Sequence, residues 1–156
     1  MKLAQRTRSI KPAILQAVTS KANKLKAQGH DVIGLGVGEP DFDTPRHIKD
    51  AAIQAVNNGH TKYTAVDGTP ALKQAVIEKF RRDNGLAYSP KQIIVSCGGK
   101  HSFFNIVQAT IDPGDEVIIP APYWASFPDI VALAGGVPVI VQTGIAQAFK
   151  ISATQL

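Results

Sequence analysis

Between Ile93 and Val141 the chain alternates short apolar runs with helix-like segments joined by tight turns, and this pattern restricts the fold more than any other feature. Ile93-Ile-Val-Ser96, Glu116-Val-Ile-Ile119 and Val137-Pro-Val-Ile-Val141 read as strands. Residues 100–110 and 124–134 read as the helices between them, and Asp112-Pro-Gly-Asp115 as a turn. Strand, helix, strand, helix, strand with short connections implies right-handed crossovers and a mainly parallel sheet. Runs of Val and Ile, rather than apolar–polar alternation, fit strands covered on both faces. Pro138 either argues against the last strand or places it toward a sheet edge, because proline cannot donate to a ladder. Three strands make an incomplete α/β layer, so its open edge is expected to be covered by a partner chain or a second copy.

Upstream, the periodicity is helical. Residues 12–28 carry Ile14, Leu15, Val18 and Leu25 on one stripe, with Gly29 just past the end. The apolar segment Val32-Ile-Gly-Leu35 is expected to form a short strand. A Gly/Pro-rich loop, Gly36-Val-Gly-Glu-Pro-Asp-Phe-Asp-Thr-Pro45, follows it. Its glycines allow close backbone approach and Pro40 stiffens it. Thr44 is positioned to cap a helix with Pro45 at its first position, closed by Asn57-Asn-Gly59; a further helix starts at Thr69-Pro70 and ends before Asn84-Gly85.

Composition removes several classes of function. With 44% apolar and 19% charged residues in 156, the chain is globular rather than fibrous or disordered. No apolar run reaches the length of a membrane span, and Met-Lys-Leu-Ala-Gln-Arg has no secretory core. A lone Cys97 cannot form an internal disulfide, which fits the reducing cytoplasm where we expect the chain. The net charge of +5 is front-loaded: Lys2, Arg6, Arg8, Lys11, Lys21, Lys24 and Lys26 all precede Asp31. No aromatic residue interleaves with them, so they read as a solvated helix face and not as a nucleic-acid platform. His30, His47, His60 and His101 lack metal-ligand spacing, so no metal site is expected. No serine lies in a nucleophile elbow.

The glycine motifs divide. Gly34-Leu-Gly-Val-Gly38 departs from a dinucleotide fingerprint, because its third glycine comes early and Glu39-Pro40 follows where a helix should open. Gly99-Lys100 departs from a phosphate-hydrolysing loop, with Ile94 and His101 where a glycine and a hydroxyl belong. Ser96-Cys-Gly-Gly-Lys100 is different: a strand end, two glycines and a helix start. Either it is a plain strand–helix turn, or its backbone N–H groups and the helix dipole hold a phosphate or carboxylate. Trp124, in Pro120-Ala-Pro-Tyr-Trp124, falls just past the next strand end, as a rim aromatic or as a platform for a flat ring. Tyr63 lies in the polar loop Lys62-Tyr-Thr-Ala-Val-Asp-Gly68.

Taken in order, these segments resemble the N-terminal part of class I aminotransferases. The likeness is greatest to the bacterial aspartate aminotransferase branch of the fold type I pyridoxal-phosphate enzymes. The matching residues are Gly38-Glu-Pro-Asp-Phe-Asp-Thr-Pro45, Thr61-Lys-Tyr-Thr64, Glu78-Lys-Phe-Arg-Arg-Asp-Asn-Gly85, Gly98-Gly-Lys100, Asp112-Pro-Gly-Asp-Glu-Val117 and Pro122-Tyr-Trp124. Each motif is weak alone; together they cover residues from about 5 to 150. The resemblance implies an α/β fold: a partial three-layer α/β/α large domain over residues 46–156, with residues 1–45 as N-terminal arm and small-domain segment. It also implies pyridoxal 5′-phosphate as cofactor, amino-acid and 2-oxo-acid substrates, and a homodimer. Gly98, Gly99 and Lys100 would hold the cofactor phosphate, Trp124 would stack on its ring, and Tyr63 would reach the phosphate of the other subunit. Gly38, with Trp124, would line the substrate site. The Schiff-base lysine, the aspartate paired to the ring nitrogen and the substrate-binding arginine come later in such enzymes. No catalytic residue is therefore expected here, and Lys100 cannot substitute from the phosphate end. Alone, the chain is expected to be incompetent in transamination and to bind cofactor weakly or not at all. The alternative is a non-catalytic fragment that dimerises or pairs with a complete subunit.

Overall fold

The computed structural model describes residues 2–8, 10 and 14–156, without the side chains of residues 14–16. The chain divides into two compact units, Pro12–Thr64 and Met1–Lys11 with Ala65–Leu156.

The first unit holds two helices, α1 (Ile14–Ala27) and α2 (Arg46–Asn57). The expected beginning of α1 at Pro12 lies outside the described residues. Along α1, Thr19, Ala22 and Leu25 are half-buried, while Val18, expected on the apolar stripe, is exposed. After α1 the chain turns back, bringing Gly36 against Val18 and Thr19. The strand expected at Val32–Leu35 does not form. A strand requires a hydrogen-bonding neighbour, no strand among the described residues of this unit offers one, and Ile33 and Leu35 stand exposed. The α2 cap also falls one residue later than the sequence suggests. Pro45 is the cap, and its carbonyl accepts from Ile48 and Lys49 N–H. Thr44 gives its own N–H to Asp43 Oδ1 at 2.8 Å. Asp43 also pairs with Lys49, whose ammonium, followed by the Thr44 N–H, holds the Asp43 carboxyl below the usual range.

The second unit contains α3 (Pro70–Asn84), α4 (Gly99–Thr110), β1 (Glu116–Ala121), α5 (Ser126–Leu133) and β2 (Val137–Gln142). Local chemistry sets α3: Thr69 Oγ1 accepts from Leu72 N–H, proline opens the helix, and a left-handed Gly85 closes it. The Asp112–Asp115 turn is closed twice, by Asp115 N–H on the Asp112 carbonyl and Asp112 N–H on Asp115 Oδ2.

β1 and β2 run parallel in register from Glu116 opposite Val137 to Ala121 opposite Gln142, and the strand expected around Pro138 forms as β2. Ile93–Ser96, expected as a third strand, is extended but pairs with no strand among the described residues. Of its apolar run Ile93 is buried, Val95 half-buried and Ile94 exposed. One anchor replaces the ladder, a hydrogen bond from Val95 N–H to the Asp67 carbonyl at 3.0 Å.

The core forms where α4 and α5 pack on one face of the pair. Val107, Ile119, Ile130 and Val131 are its buried centre, flanked by Phe103, Phe104, Ile111 and Phe127. The helices cover one face of the sheet, and Ile118 on the other is exposed. Coverage of both faces is therefore not seen among the described residues. Val131 is fully buried. Val131→Ala should cost about 2–3 kcal/mol in a urea melt, as lost transfer energy plus a cavity.

Candidate functional site

The site is built at the amino end of α4. Gly98 stands at φ +83° with ψ 169°, a conformation that side chains disfavour, and this turns the extended segment abruptly into the helix. Its N–H is already used, donating to the Ser96 carbonyl at 2.8 Å, while its carbonyl accepts from His101 and Ser102. The next two N–H groups, of Gly99 and Lys100, lie where a helix has no internal acceptor, and they make no hydrogen bond among the described residues. A Cβ added at Gly98 or Gly99 would meet nothing within 4 Å, so the approach to both donors is open. Two unbonded donors, the positive end of a helix dipole and one ammonium form a place for an anion.

Lys100 also links this end to Trp124. Its Nζ lies 4.6 Å from the Trp124 ring centroid, a cation–π distance. Trp124 is held edge-on by Phe127 at 5.4 Å, and Phe127 packs on Phe103 at 4.7 Å. The indole thus stands on the aromatic part of the core and still presents 44% of its surface to solvent. Beside it, Cys97, Lys100, His101, Phe104 and Ile130 line an open, largely apolar depression of about 340 Å³.

The structure therefore brings Gly98, Gly99, Lys100 and Trp124 together. Gly38 and Tyr63 lie in the other unit: a Cβ on Gly38 would meet nothing within 4 Å, and the Tyr63 ring is fully exposed. Three contributors escaped the sequence reading. His101 Nδ1 accepts the Cys97 N–H at 3.0 Å, satisfying a donor just before the turn; a histidine four residues after that backbone position was the available signal. Phe127 props Trp124 three residues later, across the turn that its own N–H closes on the Trp124 carbonyl at 3.0 Å. Asp67 and Lys73 form an ion pair behind the segment that feeds the turn, and nothing in sequence links that loop to Val95. All four histidines are exposed and lie at or near helix ends. Among the described residues no group of three or more His, Cys, Asp or Glu could hold a metal ion, and no helix is long and apolar enough to cross a membrane.

The model of the family "Aminotransferase class I and II" matches residues 30–156. The chain belongs to that family. Over all 156 residues it is 66% identical to the aspartate/prephenate aminotransferase of Nitrosomonas europaea and 58% identical to the aspartate aminotransferase of Geobacillus stearothermophilus. Among solved structures it is similar to the aspartate aminotransferase of Thermus thermophilus with maleate (TM-score 0.94, 47% identity) and to that of Rhizobium meliloti (TM-score 0.92, 48% identity). Each of these two matches covers 99% of this chain. The chain spans only 39–41% of the length of these four relatives and corresponds to an N-terminal portion of them.

Proposed function

We propose that the amino end of α4 and Trp124 form the phosphate-and-ring corner of a pyridoxal 5′-phosphate site. The enzyme they serve transfers an amino group between an amino acid, aspartate in our reading, and a 2-oxo acid. The observation that carries this is the pair of unbonded N–H groups at Gly99 and Lys100 beside an exposed indole. Gly99 and Lys100 N–H would donate to the phosphate, Gly98 would supply the turn, and Lys100 Nζ would add charge at the same end. Trp124 would carry the ring on its face. The cofactor, when bound, supplies an electron sink for bonds at the substrate α-carbon; the protein's task here is to hold and orient it.

Gly38 is assigned to the wall of the substrate site, and Tyr63 to the phosphate of a second subunit in a homodimer. Residues 1–45 are assigned to the arm and small-domain segment, and 46–156 to the first half of the cofactor-binding domain. We assign binding roles only within this stretch, because Lys100 is committed to the phosphate end. The lone, exposed Cys97 supports a cytoplasmic location.

Trp124 is the only tryptophan, so its fluorescence reports this corner alone. Pyridoxamine 5′-phosphate should quench it saturably, and inorganic phosphate should compete. Pyridoxamine without the phosphate should bind at least about tenfold more weakly, since charge-assisted hydrogen bonds to the anion are lost. Equal quenching by both forms would reject the assignment.

A further inference from the structure

Lys73 is the one charged side chain buried among the described residues. It sits in the first turn of α3, where the helix dipole disfavours a cation, and burial of an ammonium is costly unless it is paired. Its ammonium donates to Asp67 Oδ2. The Asp67 carbonyl in turn accepts the Val95 N–H at 3.0 Å. Gly68 lies so close that a Cβ there would fall 2.5 Å from Val95 Cγ2 and 3.8 Å from Lys73 Cγ, so the lysine stem passes beside the same contact. One residue beyond Val95, the Ser96 carbonyl accepts the Gly98 N–H that closes the turn.

We propose that Lys73 and Asp67 are positioning residues for the anion-binding turn, fixing Val95 and through it the direction in which Gly99 and Lys100 N–H point. No strand hydrogen-bonds Val95 among the described residues, so the Asp67 carbonyl is its backbone anchor. The ion pair holds the loop that carries that carbonyl against α3. The proposal rests on the reading of this helix end as a phosphate site. It adds a requirement: anion affinity depends on a pair that never touches the anion.

Lys73→Met tests it, because methionine keeps the apolar stem and leaves Asp67 half-exposed, where water can solvate it. Amide exchange at Val95 and Gly98 should rise about three- to tenfold, the equivalent of one net hydrogen bond. Exchange at Val107 and Ile119 should stay as in the parent. Pyridoxamine 5′-phosphate quenching of Trp124 should weaken by a similar factor, and Lys73→Arg should restore both. If K73M does not fold, the double variant D67N/K73M, which removes both partners, replaces it. Unchanged exchange at Val95 and Gly98 in either folded variant overturns the proposal; so does an equal rise at Val107 and Ile119, which marks a general structural role. If the parent shows no phosphate-dependent quenching while exchange still rises at Val95 and Gly98, the tie stands and the phosphate assignment fails.

Discussion

Gly99→Pro should leave the fold intact and weaken binding of pyridoxamine 5′-phosphate by about 10- to 100-fold. Gly99 is the first residue of α4. Proline is favoured at that position, because its fixed φ suits the helix and the missing N–H has no internal acceptor. The residue before a proline is driven toward extended ψ, and Gly98 already stands at ψ 169°. The substitution therefore removes one donor and no hydrogen bond that the described residues make. A hydrogen bond to a charged acceptor is worth about 1.5–3 kcal/mol, which gives the expected loss. Gly99→Ala separates donor from space: it keeps the N–H, and its Cβ enters open volume. Titration by Trp124 fluorescence with a parallel thermal melt decides the matter. Parent-like affinity in the proline variant would remove Gly99 from the site. An equal loss in the alanine variant would move the effect from the donor to the missing side chain.

The sequence was legible wherever structure is set by neighbours along the chain. Thr69-Pro70 and Gly85 bracket α3 as expected, since the cap, the first-position proline and the left-handed glycine are chemistry of a few adjacent residues. The Asp112–Asp115 turn was legible for the same reason, and the β1–α5–β2 unit because both of its strands lie within the same short stretch. The strands expected at Val32–Leu35 and Ile93–Ser96 failed because a strand is defined by a second strand. Apolar composition cannot reveal whether that second strand is present in the same stretch. The site divides along the same line. Gly98, Gly99 and Lys100 could be read from a strand-to-helix junction, and Trp124 from the end of a strand. The Asp67–Val95 anchor joins residues 28 positions apart through a carbonyl, an atom every residue carries. His101 capping Cys97 was readable in principle, but a histidine has too many possible duties for its spacing to select this one.

Gly68→Val should destabilise the second unit by about 2–6 kcal/mol and abolish phosphate-dependent quenching, for reasons independent of charge. Gly68 stands at φ +108°, outside the range open to a β-branched residue, and forcing one there costs about 1–3 kcal/mol. The added Cβ would also fall 2.5 Å from Val95 Cγ2 and 2.9 Å from Val95 Cβ. Overpacking of this kind adds about 1–3 kcal/mol. Rotation about Val95 χ1 can move Cγ2 but not Cβ, which is fixed to the backbone. The segment Ile93–Ser96 must move instead, and it carries the Asp67 anchor on one side and the Gly98 turn on the other. The loss therefore passes to the Gly99 and Lys100 donors although neither touches Gly68. Urea melts and Trp124 titration measure the two effects separately. Gly68→Val with parent stability would show that the loop repacks freely around Val95. Gly68→Ala should fall between parent and valine variant, because alanine lacks the branch but still meets Val95.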